Sequence, residues 1–342
     1  MLFSLPYNNT DPEAFLNLFL PYKKQIYGFY FGVVDIASNA NSKAWTARNY
    51  WEGLNNTTKF LDLCREHNIR TSLCLNSPLS IRDNMRSEIE IINVVGQFYY
   101  NNGLSSVIVS SPTIAHQVRR NFADLEIETS CNTFTFLEHS YDLWHRDFGT
   151  RTFNLPREAL KNPQLLEKFA AYCRKNNFYS KCIINEACIY GCPGSVEHIC
   201  SIGIREYIAS QNSIQIYCDS PSVPLSSMFQ TNFIAPQYLN LFEGKFDIAK
   251  IAGRSHPTDW IFNAFVAYLN GDREAPIESV MFGRLKPKLR ELKLNLYAKD
   301  WPKKTLTCEC KECDTCGICR KATEHVLKRS GLSEKDLRCP IS

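Results

Sequence analysis

Apolar residues arrive along this chain in short dense runs separated by longer amphipathic stretches. The strand-like runs are QIYGFYFGVV (25–34), IRTSLCLN (69–76), SSVIVSS (105–111), LEIETSC (125–131), RTFNLP (151–156), KCIINE (181–186), TNFIAP (231–236) and FDIAKIAG (246–253). Between several of them lie stretches of helical spacing, at 49–68, 87–102, 112–123, 163–177 and 256–271. Runs that stay apolar on consecutive positions suit strands buried on both faces of a parallel sheet. Strand–helix units in this order give right-handed parallel crossovers. Eight such strands over roughly 250 residues predict an α/β fold, a TIM-like (β/α) barrel. A doubly wound open sheet is the alternative, but no GxGxxG or Walker A pattern supports a dinucleotide or nucleotide-triphosphate version of it.

The alternation ends near residue 283. A basic stretch, GRLKPKLRELKLNLYAKDWPKK, leads into CECKECDTCGIC (308–319) and a short helix-like run, RKATEHVLKRS. Two regions are therefore expected: a barrel domain over 1–282, and a basic linker with a cysteine-rich C-terminal appendage over 283–342.

Composition narrows the class. The chain has 342 residues, 44% of them apolar, and a formal net charge of +4, so it can bury a real core and its charge does not by itself imply nucleic acid. No apolar run reaches the about 18 residues needed to cross a bilayer. The opening MLFSLPYNNT lacks a charged n-region and a cleavable apolar h-region. The expected location is the cytoplasm, away from the membrane. There, the fifteen cysteines argue for metal or cluster ligation and against disulfides.

Two cysteine groups stand out. KCIINEACIYGCPGSVEHIC (181–200) carries Cys188 and Cys192 at C-x3-C, with Cys182 and Cys200 on either side and Cys218 further on. This segment leaves a predicted strand, at the barrel end where active sites sit. Zinc is the rival ligand, although its pairs usually come in couples. In the second group, Cys310, Cys313, Cys316 and Cys319 repeat as three CxxC steps just after Cys308. That density suits a second cluster, with zinc as the alternative.

Three further side chains are candidates for chemistry. Glu186 sits at a strand end beside Cys188, as a general base, a substrate partner or a loop-fixing cap. His198 follows Cys188 by ten positions, either tuning a cluster or serving structure. Arg254 follows the last strand, where its planar fork suits a carboxylate or phosphate. His256, with Pro257, reads as a helix opening. No nucleophile elbow, HExxH or C-x3-C-x2-C pattern is present, which weighs against a protease and against radical S-adenosylmethionine chemistry.

The segments SSVIVSSPTIAHQVRR, IETSCNTFTF, KCIINEACIYGCPGSVEHIC and FIAPQYLNLFEGKFDIAKIAGRSHPTDWIFNAFVAYLNG resemble, in the same order, those of the peptidase U-32 family, the collagenase-like proteins. The resemblance covers about residues 25 to 275. It implies a TIM-like catalytic barrel and a 4Fe-4S cluster on Cys188, Cys192 and Cys218. It also implies oxygen-independent hydroxylation in place of proteolysis, on a small molecule or on RNA. Gly194 and Ser195 stand where similar chains carry an aromatic residue and an arginine. The fourth ligand thus stays open between Cys182, Cys131, a C-terminal cysteine and substrate at an open iron. The expected activity is an iron–sulfur-dependent redox tailoring reaction, served by an electron donor or a partner subunit. A non-catalytic electron-transfer subunit and a peptidase are the alternatives.

Overall fold

The computed structural model describes residues 1–32, 50–77, 84–203, 231–283, 292–296 and 313–333. Within these, eight parallel strands close into a barrel: β1 (Leu2–Pro6), β2 (Ile26–Phe31), β3 (Arg70–Leu75), β4 (Ser106–Val109), β5 (Glu126–Thr129), β6 (Thr152–Asn154), β7 (Tyr179–Ile183) and β10 (Ile248–Lys250). β10 closes the ring by pairing with both β1 and β7. Two more strands, β8 (Asn185–Ile189) and β9 (Thr231–Phe233), form a separate antiparallel pair.

The barrel confirms the fold class and corrects two strand assignments. The first strand is LFSLP, ahead of the first predicted run, QIYGFYFGVV. TNFIAP is not a barrel strand; its first three residues are β9 and pair with β8. The predicted run KCIINE divides at Ile184 because Asn185 is held off the barrel. Its amide donates to the carbonyls of Ala252 (2.9 Å) and Val280 (3.1 Å), and its oxygen accepts from the Ala252 amide (2.7 Å). Asn185 is fully buried, so these bonds replace the water it gives up.

Along each strand the outward residues pack against the helices. Phe3, Leu5, Phe29, Phe31, Leu73, Val107, Ile127, Phe153 and Cys182 all belong to the one large core cluster. Tyr7 stacks on Phe60 with centroids 3.7 Å apart, and Phe15, Phe19 and Phe265 extend this aromatic layer. Helix starts follow their sequence signals. Asp11 accepts from the amides of Glu13 and Ala14 before Pro12–Phe19, and Asn162 accepts from the amide of Leu165 before Pro163–Lys175. Ala322 and Val326 of the helix Ile318–Ser330 are buried in the same core, so the C-terminal helix rests against the barrel domain.

The inward residues overturn the expectation of strands apolar on both faces. Arg70 pairs with Glu126 at 2.5 Å near the N-terminal end of the bore. One level up, Lys181 and Glu128 form an ion pair at 2.5 Å with both side chains fully buried. Ser106 donates to Glu128 at 2.7 Å and Ser72 to the same oxygen at 3.1 Å. Tyr27 lies beneath two cations, 5.0 Å from Arg70 and 4.7 Å from Lys181. The alternation was present in the sequence as R-T-S-L-C-L and E-I-E-T, but the apolar residues of each run concealed it.

Candidate functional site

The chemistry-bearing side chains gather where the strands end. Arg157 follows β6 by three positions, in the single turn Arg157–Lys161. Its Nε and Nη2 donate to the two oxygens of Glu186 at 2.7 and 3.2 Å, and its Nη1 donates to Asn132 Oδ1 at 2.7 Å. Asn132 is placed by the short turn after β5. Its own amide nitrogen donates to the Asn76 carbonyl at 3.0 Å, and its oxygen also accepts from the Cys131 thiol at 3.6 Å. The loops after β3, β5, β6 and β7 are thereby joined by one polar chain.

Electrostatics at this mouth are set by burial and by Arg157. Burial works to lower the Arg157 pKa, but Cys131, Glu186 and Cys188 outweigh it and hold the guanidinium firmly charged. Burial pushes the Cys131 thiol up, with Arg157 acting against that shift. Burial likewise raises the Tyr30 phenol, opposed by Arg254. The Tyr30 hydroxyl donates to the Ile251 carbonyl at 2.7 Å, which fixes the ring. Two cations face that ring: Lys250 Nζ at 4.3 Å and the Arg254 guanidinium carbon at 5.9 Å from its centroid. Lys250 therefore points into the barrel.

The predicted site residues separate into three sets. Glu186, Arg254 and Cys188 meet at the mouth, with Cys188 on β8 and within electrostatic reach of Arg157. Cys192 and His198 stand on the turn and the helix Ser195–Gly203 that follow, both half-buried, with the His198 amide donating to the Gly194 carbonyl. In the C-terminal group, Cys316 and Cys319 are half-buried around the start of the helix Ile318–Ser330. Cys218, Cys308 and Cys310, and the side chain of Cys313, lie outside the described residues.

One ligand candidate is corrected. Cys182 faces outward from β7 into the helix-packed core, and burial raises its thiol well above the ordinary range. Its neighbour Lys181 takes the inward position, so Cys182 turns away from the mouth. His256 stands at a helix opening as read, directly ahead of Pro257 and the helix Thr258–Asn270, and its ring stacks on Trp260 at 4.0 Å.

The donor set bears on the implied cluster. Cys188, Cys192 and Cys200 are half-buried, whereas Cys64, Cys74, Cys131, Cys173 and Cys182 are buried. Half-buried thiols, with Cys188 also in electrostatic reach of Arg157, are donors of the right kind for iron or zinc. They do not form a complete set: among the described residues no three His, Cys, Asp or Glu side chains stand close enough to hold a metal ion. Sequence reasoning had missed Arg157 and Asn132. Arg157 directly follows the run RTFNLP, past the C-terminal end of a barrel strand, and that position was its readable signal.

Comparison with known proteins adds to this picture. No protein-family model matches the chain. It is 25% identical over 259 residues to the uncharacterized protease MJ1657 of Methanocaldococcus jannaschii, spanning 72% of this chain and 73% of that protein. The solved structure of the U32 peptidase Mk0906 superposes with a TM-score of 0.50 at 11% identity, over 75% of this chain and 94% of that one. Among the described residues no helix is long and apolar enough to cross a membrane. The ordered motifs, the relative and the barrel thus agree in a likeness to the peptidase U32 proteins, and the solved U32 structure shares this chain's barrel fold.

Proposed function

We propose that this chain is a barrel enzyme that tailors an anionic substrate at the mouth built by Arg157, Glu186, Lys250 and Arg254. The observation that carries this reading is the convergence of Lys250 and Arg254 on Tyr30, at 4.3 and 5.9 Å, beside the Arg157–Glu186 pair. Two cations aimed at one spot suit a carboxylate or phosphate. Arg157 in turn holds Glu186 in one orientation and presents positive charge toward Cys188. A group with anionic sulfur ligands gains from that charge.

An iron–sulfur cluster on Cys188 and Cys192, with Cys218 as the next ligand, is the cofactor that fits this thiol chemistry. When bound, such a cluster supplies one-electron chemistry or an open iron for an oxygen donor. The favoured reaction is an oxygen-independent hydroxylation or a related redox tailoring step. The C-terminal CxxC steps are read as a second cluster or a zinc site, and iron and zinc analysis of a chain ending at residue 304 tests that part.

The decisive experiment is anaerobic purification with iron, sulfide and zinc quantitation and EPR, on the native chain and on Cys188→Ser/Cys192→Ser. Iron and sulfide are expected in the native protein and lost in the double variant. An iron-free, colourless native protein overturns the reading. Arg254→Ala is expected to keep the iron while substrate turnover falls. The name of the relative MJ1657, a protease, favours a second reading, which requires peptide cleavage that survives iron removal.

A further inference from the structure

A cavity opens at the N-terminal end of the barrel, opposite the mouth. It measures about 990 Å³ and is walled by the first residues of β1, β2, β3, β5 and β7 together with Arg151 just ahead of β6. This is the size of a small-molecule site. Residues on this end of a barrel ordinarily serve stability alone. Here they include more charge than packing requires.

The charge is unbalanced. Arg70 pairs with Glu126 and Arg146 with Asp147, which leaves Lys23, Arg119 and Arg151 facing Asp124 as the remaining acid on the wall. Among the described residues no ion pair forms to Lys23, Arg119 or Arg151. Arg119 is held rigid, its two terminal nitrogens donating to the carbonyls of Ala123 and Phe148, so its charge is positioned without being neutralised. Arg70 keeps its Nε buried without a hydrogen-bond partner. Such an arrangement favours an anion with several acceptor oxygens.

The wall is also aromatic. Tyr27 lies at the floor and Tyr179 at the rim, with ring centroids 6.1 Å apart, and Tyr179 is 52% exposed. A large exposed ring beside guanidinium groups is a stacking surface for a planar base. We infer that this N-terminal cavity is a nucleotide-binding site, in which Tyr179 stacks on the base while Arg151, Lys23 and Arg119 take the phosphate. The site is separate from the mouth and does not depend on the iron–sulfur reading.

Isothermal titration calorimetry of the full chain in low-salt buffer, with AMP as the probe, tests this. Adenosine and inorganic phosphate serve as the two half-ligands. AMP is expected to bind once per chain, with each half-ligand at least tenfold weaker. Arg151→Ala and Tyr179→Ala are each expected to weaken AMP at least tenfold, and Tyr179→Ala to leave phosphate unchanged. Both side chains are exposed, so the fold is expected to persist in thermal melts; Lys23→Gln, also at an exposed position, provides an independent variant. Arg254→Ala, at the other mouth, is expected to leave AMP affinity unchanged. The inference is overturned if AMP shows no saturable binding, or if phosphate alone binds as tightly. It is equally overturned if the cavity variants bind AMP normally or Arg254→Ala abolishes binding.

Discussion

Arg157 grips both oxygens of Glu186 in a side-by-side pair, at 2.7 and 3.2 Å, with only 13% and 10% of the two side chains exposed. The pair ties the loop after β6 to the strand β8 that carries Cys188. A bidentate pair this buried has geometry as well as charge to lose. Arg157→Met is expected to destabilise the chain by about 3–5 kcal/mol, because it strands the Glu186 carboxylate. Arg157→Met/Glu186→Leu is expected to recover most of that loss. Urea unfolding of the two single variants and the double variant checks it; equal stabilities throughout would mean the pair contributes orientation alone.

The Lys181–Glu128 pair predicts how stability depends on pH. Burial pushes the Glu128 carboxyl up, yet the Lys181 ammonium, the Ser106 hydroxyl and Arg70 outweigh it and leave it below the ordinary carboxylate range. A carboxyl depressed in the folded state stabilises fully above its unfolded pKa, about 4.3, and loses that contribution as pH falls through the lower folded value. The urea midpoint is therefore expected to drop steeply below about pH 4. Glu128→Leu/Lys181→Met is expected to flatten that acid limb, whereas Lys181→Met alone destabilises by about 3–5 kcal/mol at pH 7.

Thiol reactivity separates the cysteines by position. Burial pushes the Cys173 thiol up to about 12 and raises those of Cys64 and Cys182 as well. Cys188 and Cys192 are half-buried on the mouth. In chelator-treated protein at pH 8, maleimide is expected to label Cys188 and Cys192 within minutes and to spare Cys64, Cys173 and Cys182 until the chain unfolds. Peptide mass spectrometry reads the pattern. Anaerobically isolated, iron-loaded protein is expected to protect the first two; labelling at the same rate with and without iron would separate these thiols from any metal.

What was legible in the sequence followed from periodicity. Dense runs such as SSVIVSS and FDIAKIAG marked strands, and the stretches opening at Pro112 and Pro163 marked helices, because these signals are local. LFSLP escaped notice since a lone strand at a chain terminus has no partner pattern beside it. TNFIAP was misplaced because three apolar-flanked residues look alike in a barrel and in a side pair. At the site, Cys188, Glu186 and Arg254 were identifiable from residue type and strand ends. Arg157 and the ionic bore were not, since a charge inside a barrel is permitted only by a partner far away in sequence, as Lys181 is by Glu128 across fifty-three positions.

Gly253 offers a test of how finely the mouth is set. It holds φ +140°, and a Cβ there would sit 2.4 Å from the Trp260 ring. Trp260 cannot retreat freely, because His256 stacks on it at 4.0 Å and its indole N–H donates to the Glu278 carbonyl at 2.6 Å. Gly253→Ala must therefore either bend the backbone just ahead of Arg254 or break the stack. A backbone held in such a region costs of order 1–3 kcal/mol for a residue with a side chain, before the clash is counted. The variant is expected to unfold at lower temperature and to lose turnover more than Trp260→Phe does, since its error is passed to Arg254. His256 supplies the spectroscopic readout. Burial lowers its pKa, and loosening the stack is expected to let the histidine titrate closer to 6.5 in NMR. An unchanged titration together with native stability in Gly253→Ala would show that the loop accommodates the methyl and that Arg254 is not positioned through this contact.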